Sequence, residues 1–244
     1  MLAGPNGSGK SFLVKVLQEA VNLGVSVNAD EIEATLKAQA PATRRQLALA
    51  DWDLQLTAQE LHDFLASPQS QRITPWQRAR ICLEHNTLLL SGLRTDSYLA
   101  AWIAELIRYH LLATHQTLTF ETVMSHPSKL AFLRDARQQG YRTYLYYVAT
   151  DDPKINMARV RSRVKRGGHP VSKDKIVDRY FRSLGLLFEA AKLVDRAYLL
   201  DNSGLEPVLI ADIPDGRQVK YQTDVLLAWV INSFHTKILQ QATG

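Results

Sequence analysis

The apolar residues of this chain change period several times, and each change marks an element. Leu13, Val16 and Leu17 recur at helical spacing, which predicts a helix from Phe12 onward. Gly24-Val25-Ser26-Val27-Asn28 reads as a short buried strand. From about Glu31 to His115 strand signals are few, and this block is expected to be a helical insertion rather than a separate domain. Within it, Thr74-Pro75-Trp76-Gln77 is a capping box with proline at the first helical position, predicting a helix that stops near Ser91-Gly92. Asp96 can cap another helix, in which Leu99, Trp102, Ile103, Leu106, Ile107 and Leu111 share one face.

Beyond this block strands and helices alternate. Strands are predicted at Thr117–Phe120, Tyr144–Ala149 and Ala197–Leu200. Helices are predicted from Pro127 to Gln139, from Asp152-Pro153 to Gly167-Gly168, and from a Ser172 cap to Val194. Pro207–Ala211 and Gln218–Tyr221 flank Asp215-Gly216, a hairpin signal, and an apolar helix fills Asp224 to Leu239. The rhythm predicts an α/β fold, a parallel sheet with helices on both faces, as one domain over residues 1–244 with a C-terminal hairpin plus helix.

The most specific chemistry stands ahead of the first helix. Gly4-Pro5-Asn6-Gly7-Ser8-Gly9-Lys10-Ser11 fits G-x-x-x-x-G-K-[ST], so the fold class narrows to the P-loop NTPase/kinase type. Glycines let backbone N–H groups curl around phosphates. Lys10 reaches the outer phosphates, Ser11 Oγ can ligate Mg²⁺, and the helix dipole favours the anion. Phe12, at the head of the helix, completes the expected nucleotide-binding stretch. Only Met1-Leu2-Ala3 precede Gly4, whereas a strand usually takes five or six residues. The expectation is a start placed a few residues late, a truncated copy, or a very short first strand.

Composition bounds the partners. A net charge of +5 and a pI near 9.3 favour an anionic partner: nucleotide, sugar phosphate, nucleic acid or acidic protein. Cys82 is the single cysteine, which excludes an internal disulfide and fits a reducing cytoplasm. No run approaches the ~18 apolar residues of a membrane span, and no basic-then-apolar leader is seen, so a cytoplasmic protein is expected. Nucleic acid ranks last among the anions, since no Trp or Tyr interleaves with the basic runs.

In open α/β sheets ligands sit at the carboxyl ends of strands, and the candidates follow from that rule. Asp30 ends the second strand. It can orient a hydroxyl nucleophile and accept its proton, or it can cap the helix that follows. Glu121 and Thr122 end the third strand, where they can bind a polar substrate, hold a metal-bound water, or serve a turn. Arg159, Arg163 and Arg166 share one helix face, while Arg161 and Lys165 share another. Such like-charge spacing disfavours a helix unless an anion sits nearby, and arginines over a triphosphate stabilise charge on a moving phosphoryl group. A solvated basic face is the alternative. Gly167-Gly168-His169 reads as a hinge for a lid at about 153–170 or as a plain helix stop. Asp201-Asn202-Ser203-Gly204 is a loop within reach of a nucleotide base, or a bare turn.

Taken in order, A-G-P-N-G-S-G-K-S, N-A-D, T-F-E-T-V-M-S-H, N-M-A-R-V-R-x-R-V-x-x-G-G-H-P-V, D-R-Y-x-R-S-L and L-D-N-S resemble the zeta-toxin-like P-loop kinases. The resemblance covers the first 30 residues and Thr117 to Ser203, and leaves the block between them unmatched. It implies ATP- or GTP-dependent phosphorylation, with Mg²⁺, of a hydroxyl on a UDP-N-acetyl amino sugar. It gives Lys10 the Walker lysine's place, Ser11 the metal-side hydroxyl, Asp30 the catalytic carboxylate and Arg159 the first lid arginine. It gives Glu121-Thr122, loosely, the substrate-holding acidic motif. The second lid arginine's place falls at Gly-Gly-His-Pro, leaving Arg163 or Arg166 as substitutes. A protein antitoxin is a further family expectation. The alternatives are a P-loop protein with another small-molecule acceptor, and a degraded toxin that binds nucleotide without transferring phosphate.

Overall fold

The computed structural model describes residues 1–39, 45–168 and 170–242. Residues 40–44 of the predicted insertion and His169 of the predicted hinge lie outside the described residues. The chain divides into two compact units, Met1–Val21 with Glu121–Gly244, and Asn22–Phe120. Elements are numbered along the chain. Strand β1 (Leu2–Ala3) and helix α1 (Lys10–Ala20) open the first unit. The second unit holds β2 (Val25–Val27), α2 (Ala29–Ala38), β3 (Arg45–Ala48), α3 (Ala58–Ala66), α4 (Pro75–Arg78), β4 (Ile81–Glu84), β5 (Thr87–Leu90), α5 (Ser97–Ala113) and the first residues of β6 (Leu118–Thr122). The chain re-enters the first unit with α6 (Ser128–Gln138), β7 (Tyr144–Ala149), α7 (Pro153–Lys165), α8 (Lys173–Lys192), β8 (Arg196–Asp201), β9 (Val208–Pro214) and β10 (Lys220–Tyr221). It closes with α9 (Ala228–Val230), a π-helical turn (Ile231–His235) and α10 (Thr236–Ala242).

In the first unit the strands run in the order β10-β9-β8-β7-β1-β6. β8, β7, β1 and β6 are parallel, and β9 and β10 add an antiparallel edge. The sheet is parallel-dominant with helices on both faces, as the alternation predicts. β1 has only two residues, yet it lies between β7 and β6, with Leu2 opposite Tyr146 on one side and Glu121 on the other. Both its side chains are buried, as central parallel strands require. The core around it joins Tyr147, Leu187, Leu199, Trp229 and Phe234.

In the second unit β2 pairs in parallel with Leu118–Phe120. The face predicted for α5 is buried throughout, and Asp96 caps the helix by accepting from the N–H groups of Tyr98 and Leu99. The purely helical reading of this block is corrected, because β3, β5 and β4 form a three-stranded antiparallel sheet. The box at Thr74 forms, with Gln77 N–H donating to Thr74 Oγ1, but its helix lasts a single turn instead of reaching Ser91. Two residues decide this. His85 and Asn86 take φ of 47° and 58°, the conformation of a two-residue hairpin turn, and fold Thr87–Leu90 back on Ile81–Glu84. Asn86 also accepts from Leu56 N–H at 3.0 Å and donates to the Leu54 carbonyl at 2.6 Å. The run Leu88-Leu89-Leu90 carries no period of its own, so the pattern alone left helix and strand indistinguishable.

Asp195, just ahead of β8, ties the start of β7 to it. Its carboxylate accepts from the Thr143 N–H at 2.6 Å and from Thr143 Oγ1 at 2.8 Å. Partial burial pushes this carboxyl upward, but the Thr143 bonds and the Arg137 guanidinium outweigh it and hold the group below the usual range. A carboxyl depressed by folding stabilises above its unfolded pKa of about 4 and loses that contribution as the pH falls. Asp195→Ala is therefore expected to cost about 1–2 kcal/mol in urea unfolding at pH 7. The gap should narrow below about pH 4, and a gap that widens there would contradict this account.

Candidate functional site: the phosphate loop

The residues from Gly4 to Gly9 form a loop that only glycine can trace. Gly4, Gly7 and Gly9 take φ of 142°, 75° and 100°, values that L side chains rarely adopt. The space is closed as well. A Cβ at Gly9 would stand 2.1 Å from Asn202 Nδ2, and one at Gly4 would stand 2.0 Å from the Val148 carbonyl oxygen. The loop begins where Gly4 N–H donates to the Thr122 carbonyl at 3.2 Å. It ends at Gly9, whose carbonyl accepts from Phe12 and Leu13 N–H. No side chain caps α1 and no acidic residue stands in its first turn. The helix amides and the positive end of the dipole are thus left for an anion.

Lys10 and Ser11 stand at the head of α1, and each has a partner within the unit. Lys10 Nζ donates to the carbonyls of Gly4 at 2.8 Å and Pro5 at 3.0 Å. Ser11 Oγ donates to Glu121 Oε2 at 2.9 Å, across the pairing of β1 and β6. The structure therefore joins the loop hydroxyl to a carboxylate on the strand beside β1. Two hard oxygen donors this close suit a Mg²⁺ ion, which takes oxygen ligands and keeps several waters. Thr122 is occupied differently. Its Oγ1 accepts from Met124 N–H at 3.0 Å, where Met124 is buried and takes φ of 53°. Phe12 is 57% exposed beside the loop.

Two asparagines hold the loop from outside; no role was expected of Asn156, and Asn202 was expected only in a loop within reach of a nucleotide base or in a bare turn. Asn156, fully buried on α7, donates from Nδ2 to the Asn6 carbonyl at 2.7 Å. Asn202, buried after β8, donates from Nδ2 to the Ser8 carbonyl at 2.7 Å. Each is itself fixed. Thr150 Oγ1 donates to Asn156 Oδ1, and the Thr150 carbonyl accepts from Tyr180 OH at 2.6 Å. Asp201, next to Asn202, accepts from Trp229 Nε1 at 3.0 Å. Burial, and then the carboxylates of Asp151, Asp152 and Asp201, push the Tyr180 hydroxyl well above its ordinary pKa, so it stays protonated and donates. Both asparagines lie inside the quoted N-M-A-R and L-D-N-S strings, but one sequence gives no sign that a buried amide braces a distant loop.

The arginines of α7 are placed unequally. Arg159 donates to the carbonyls of Asn202 at 2.6 Å and Gly204 at 3.0 Å, so it shares the Asn202 loop with the phosphate loop. Arg163 packs its stem under Gly168, where a Cβ would stand 2.6 Å from Arg163 Cγ. Arg166 is exposed at the C-cap of α7, just before Gly167 at φ 90°. Asp30 belongs to the second unit and is exposed in the first turn of α2. The capping alternative for it is corrected, since Asn28 is the cap and its side chain accepts from Asp30 N–H at 3.0 Å.

The contact of Gly9 with Asn202 is testable. Gly9→Ala is expected to destabilise by at least about 2 kcal/mol, from a strained φ and the clash together. Combined with Asn202→Ala it should cost less than the sum of the single changes, because the clashing amide is gone. Additive costs in denaturant unfolding would show that the two sites do not meet.

Comparison with known proteins follows this geometry. A protein from Haemophilus influenzae (strain Rd KW20), named only as uncharacterized, is 32% identical over 66 residues, 27% of this chain and 47% of its own, so the chain spans about half that relative's length. Among solved structures, the AvrRxo1-ORF1:AvrRxo1-ORF2 complex with sulphate ions superposes with a TM-score of 0.51 at 12% identity, over 91% of this chain and 60% of that one. A structure of the PezAT toxin-antitoxin system of Streptococcus pneumoniae is similar at a TM-score of 0.48 and 13% identity, over 99% of this chain and 83% of that one. The first likeness bears on the fold alone. The family model AAA_33, described as an AAA domain, matches residues 1–184. Spanning the phosphate loop, Glu121, Arg159 and Asn156 but not Asn202, that match makes the chain a member of the AAA_33 family of AAA domains.

Proposed function

We propose that this protein is a P-loop phosphotransferase that moves the terminal phosphoryl group of ATP or GTP to a hydroxyl of a small molecule. The observation that carries the reading is the braced glycine loop with Lys10 and the Ser11–Glu121 pair at its mouth. Loop amides and the α1 dipole hold the phosphates, while Lys10 adds a point charge beside the outer ones. Ser11 and Glu121 would hold Mg²⁺, which neutralises charge on the transferring group when bound. Arg159, with Arg163 and Arg166 further along α7, adds positive charge where the phosphoryl group moves. Asp30, at the carboxyl end of β2, is assigned the acceptor's proton. That role rests on the zeta-toxin resemblance, as does the acceptor class, a UDP-N-acetyl amino sugar or similar sugar nucleotide, and the expectation of a protein antitoxin.

Incubation with Mg²⁺, ATP or GTP and a panel of UDP-sugars, read by mass spectrometry for an added phosphate, tests the acceptor. An added phosphate on one member is the expected result, and nucleotide binding with no phosphorylated sugar overturns the acceptor class.

Lys10→Ala is expected to lower ATP affinity at least about tenfold, since a charged hydrogen-bonding group is worth about 1.5–3 kcal/mol. Calorimetry showing unchanged affinity would remove the phosphate-loop reading. Asp30→Asn should leave ATP binding nearly intact and slow phosphoryl transfer by roughly 10²–10⁴-fold. Because Asn28 already caps α2, stability should barely change. Transfer within about threefold of the parent would rule out a general base there.

A further inference from the structure

The first unit carries a second cleft, of about 350 Å³, lined by no residue of the phosphate loop. The start of α7, the middle of α8 and the C-terminal helical segment form it. Three aromatic rings line it, Tyr180, Phe181 and Trp229, with the Asp151 carboxylate at the α7 side. Phe181 is 60% exposed, and its ring meets Tyr180 edge-on at 5.2 Å. Its face is therefore open to a ligand at the mouth of the cleft. Gly185 supplies the notch. A Cβ added there meets nothing within 4 Å, although the residue lies mid-helix, where alanine would be favoured by about 1 kcal/mol. The π-helical turn delivers Asn232 and Ser233 to the same wall, and such insertions concentrate at functional sites.

Charge selects the ligand class. Lys237, the one cationic side chain of the lining, is held by the Gly185 carbonyl at 3.2 Å. Asp151 makes no ion pair among the described residues, whereas Asp152 beside it pairs with Lys154. The open face of Phe181, close to a carboxylate that makes no ion pair among the described residues, is chemistry that holds an organic ammonium.

The same walls reach the phosphate loop. Tyr180 OH fixes Thr150, which fixes Asn156 and through it the Asn6 carbonyl. Trp229 Nε1 fixes Asp201, next to Asn202, which holds the Ser8 carbonyl. Both braces of the loop thus end on aromatic residues of this one cleft.

From this we propose that the cleft binds a small organic ammonium ion, and that its occupancy is coupled to nucleotide affinity through Tyr180 and Trp229. The test is calorimetric titration of the full chain with benzyltrimethylammonium, with benzyl alcohol as the uncharged aromatic control. The ammonium is expected to bind at least about tenfold more tightly than the alcohol. Gly185→Leu, whose Cβ meets no atom within 4 Å and whose longer side chain occupies the notch, should abolish binding at an unchanged or raised melting temperature. Saturating ammonium should shift ATP affinity by about threefold or more, and ATP should shift ammonium affinity by the same factor. In Tyr180→Phe the ammonium should still bind with that factor reduced. Equal affinity for ammonium and alcohol, or binding that survives Gly185→Leu, overturns the site. An ATP affinity indifferent to the ammonium, or a shift undiminished in Tyr180→Phe, overturns the coupling. The ammonium titration needs neither nucleotide nor activity, so its outcome is separate from that of the phosphotransferase reading.

Discussion

The structure of the first unit is organised around one demand, a backbone between β1 and α1 curled more tightly than L side chains allow. Left-handed glycines at positions 4, 7 and 9 meet the demand, and a chain in that conformation has little intrinsic stability. It is held because the carbonyls turned outward are captured by buried amides, Asn156 for Asn6 and Asn202 for Ser8. A buried amide contributes most when both its donor and its acceptor sides are met, as they are for Asn156, whose oxygen accepts from Thr150, while the Asn202 backbone N–H is held by the Ala149 carbonyl. The site is therefore continuous with the core, where removal of one partner costs more than the bond it made.

This explains the division of labour among the strands. β7 and β8 are six-residue parallel strands paired along their full length; Thr150 and Asn202 follow them directly, and Asn156 stands in the first turns of α7. β1, which feeds the loop, has two residues and contributes mainly its position between two neighbours. Its register is fixed from both sides by β7 and β6.

Much of the first unit is legible in the sequence because its signals are local. The glycine spacing, the β-rich run at 144–149 and the Asp152-Pro153 start of α7 appear where composition puts them. In the second unit the α5 face was legible for the same reason, whereas the β3-β5-β4 sheet was not. Its turn is His85-Asn86, without the glycine that usually announces a hairpin, and Leu88-Leu89-Leu90 fits either period. Within the site, Lys10, Ser11 and Glu121 were found by motif and by position at a strand end. The bracing by Asn156, Asn202, Tyr180 and Trp229 was not, although the Asn202 loop had been singled out for a nucleotide base, since each acts through partners from 28 to 194 residues away in the chain. Asn28 displaced Asp30 as the cap of α2 by standing two residues earlier, within the ordinary uncertainty of a helix start.

The inward turn of Lys10 bears on what the loop will accept. Its ammonium already holds two carbonyl oxygens, and the Ser11 hydroxyl already holds a carboxylate. Ligand entry is thus an exchange of partners rather than the filling of a vacancy. A molecule that offers only neutral acceptors returns to the lysine no more than it gives up and has no advantage over the resting arrangement. A polyanion offers full charges in place of carbonyl dipoles, and its advantage grows with each phosphate within reach of the side chain. On the proposed reading, a preference that rises from mono- to di- to triphosphate would follow from that internal competition, without a contact reserved for any one of them.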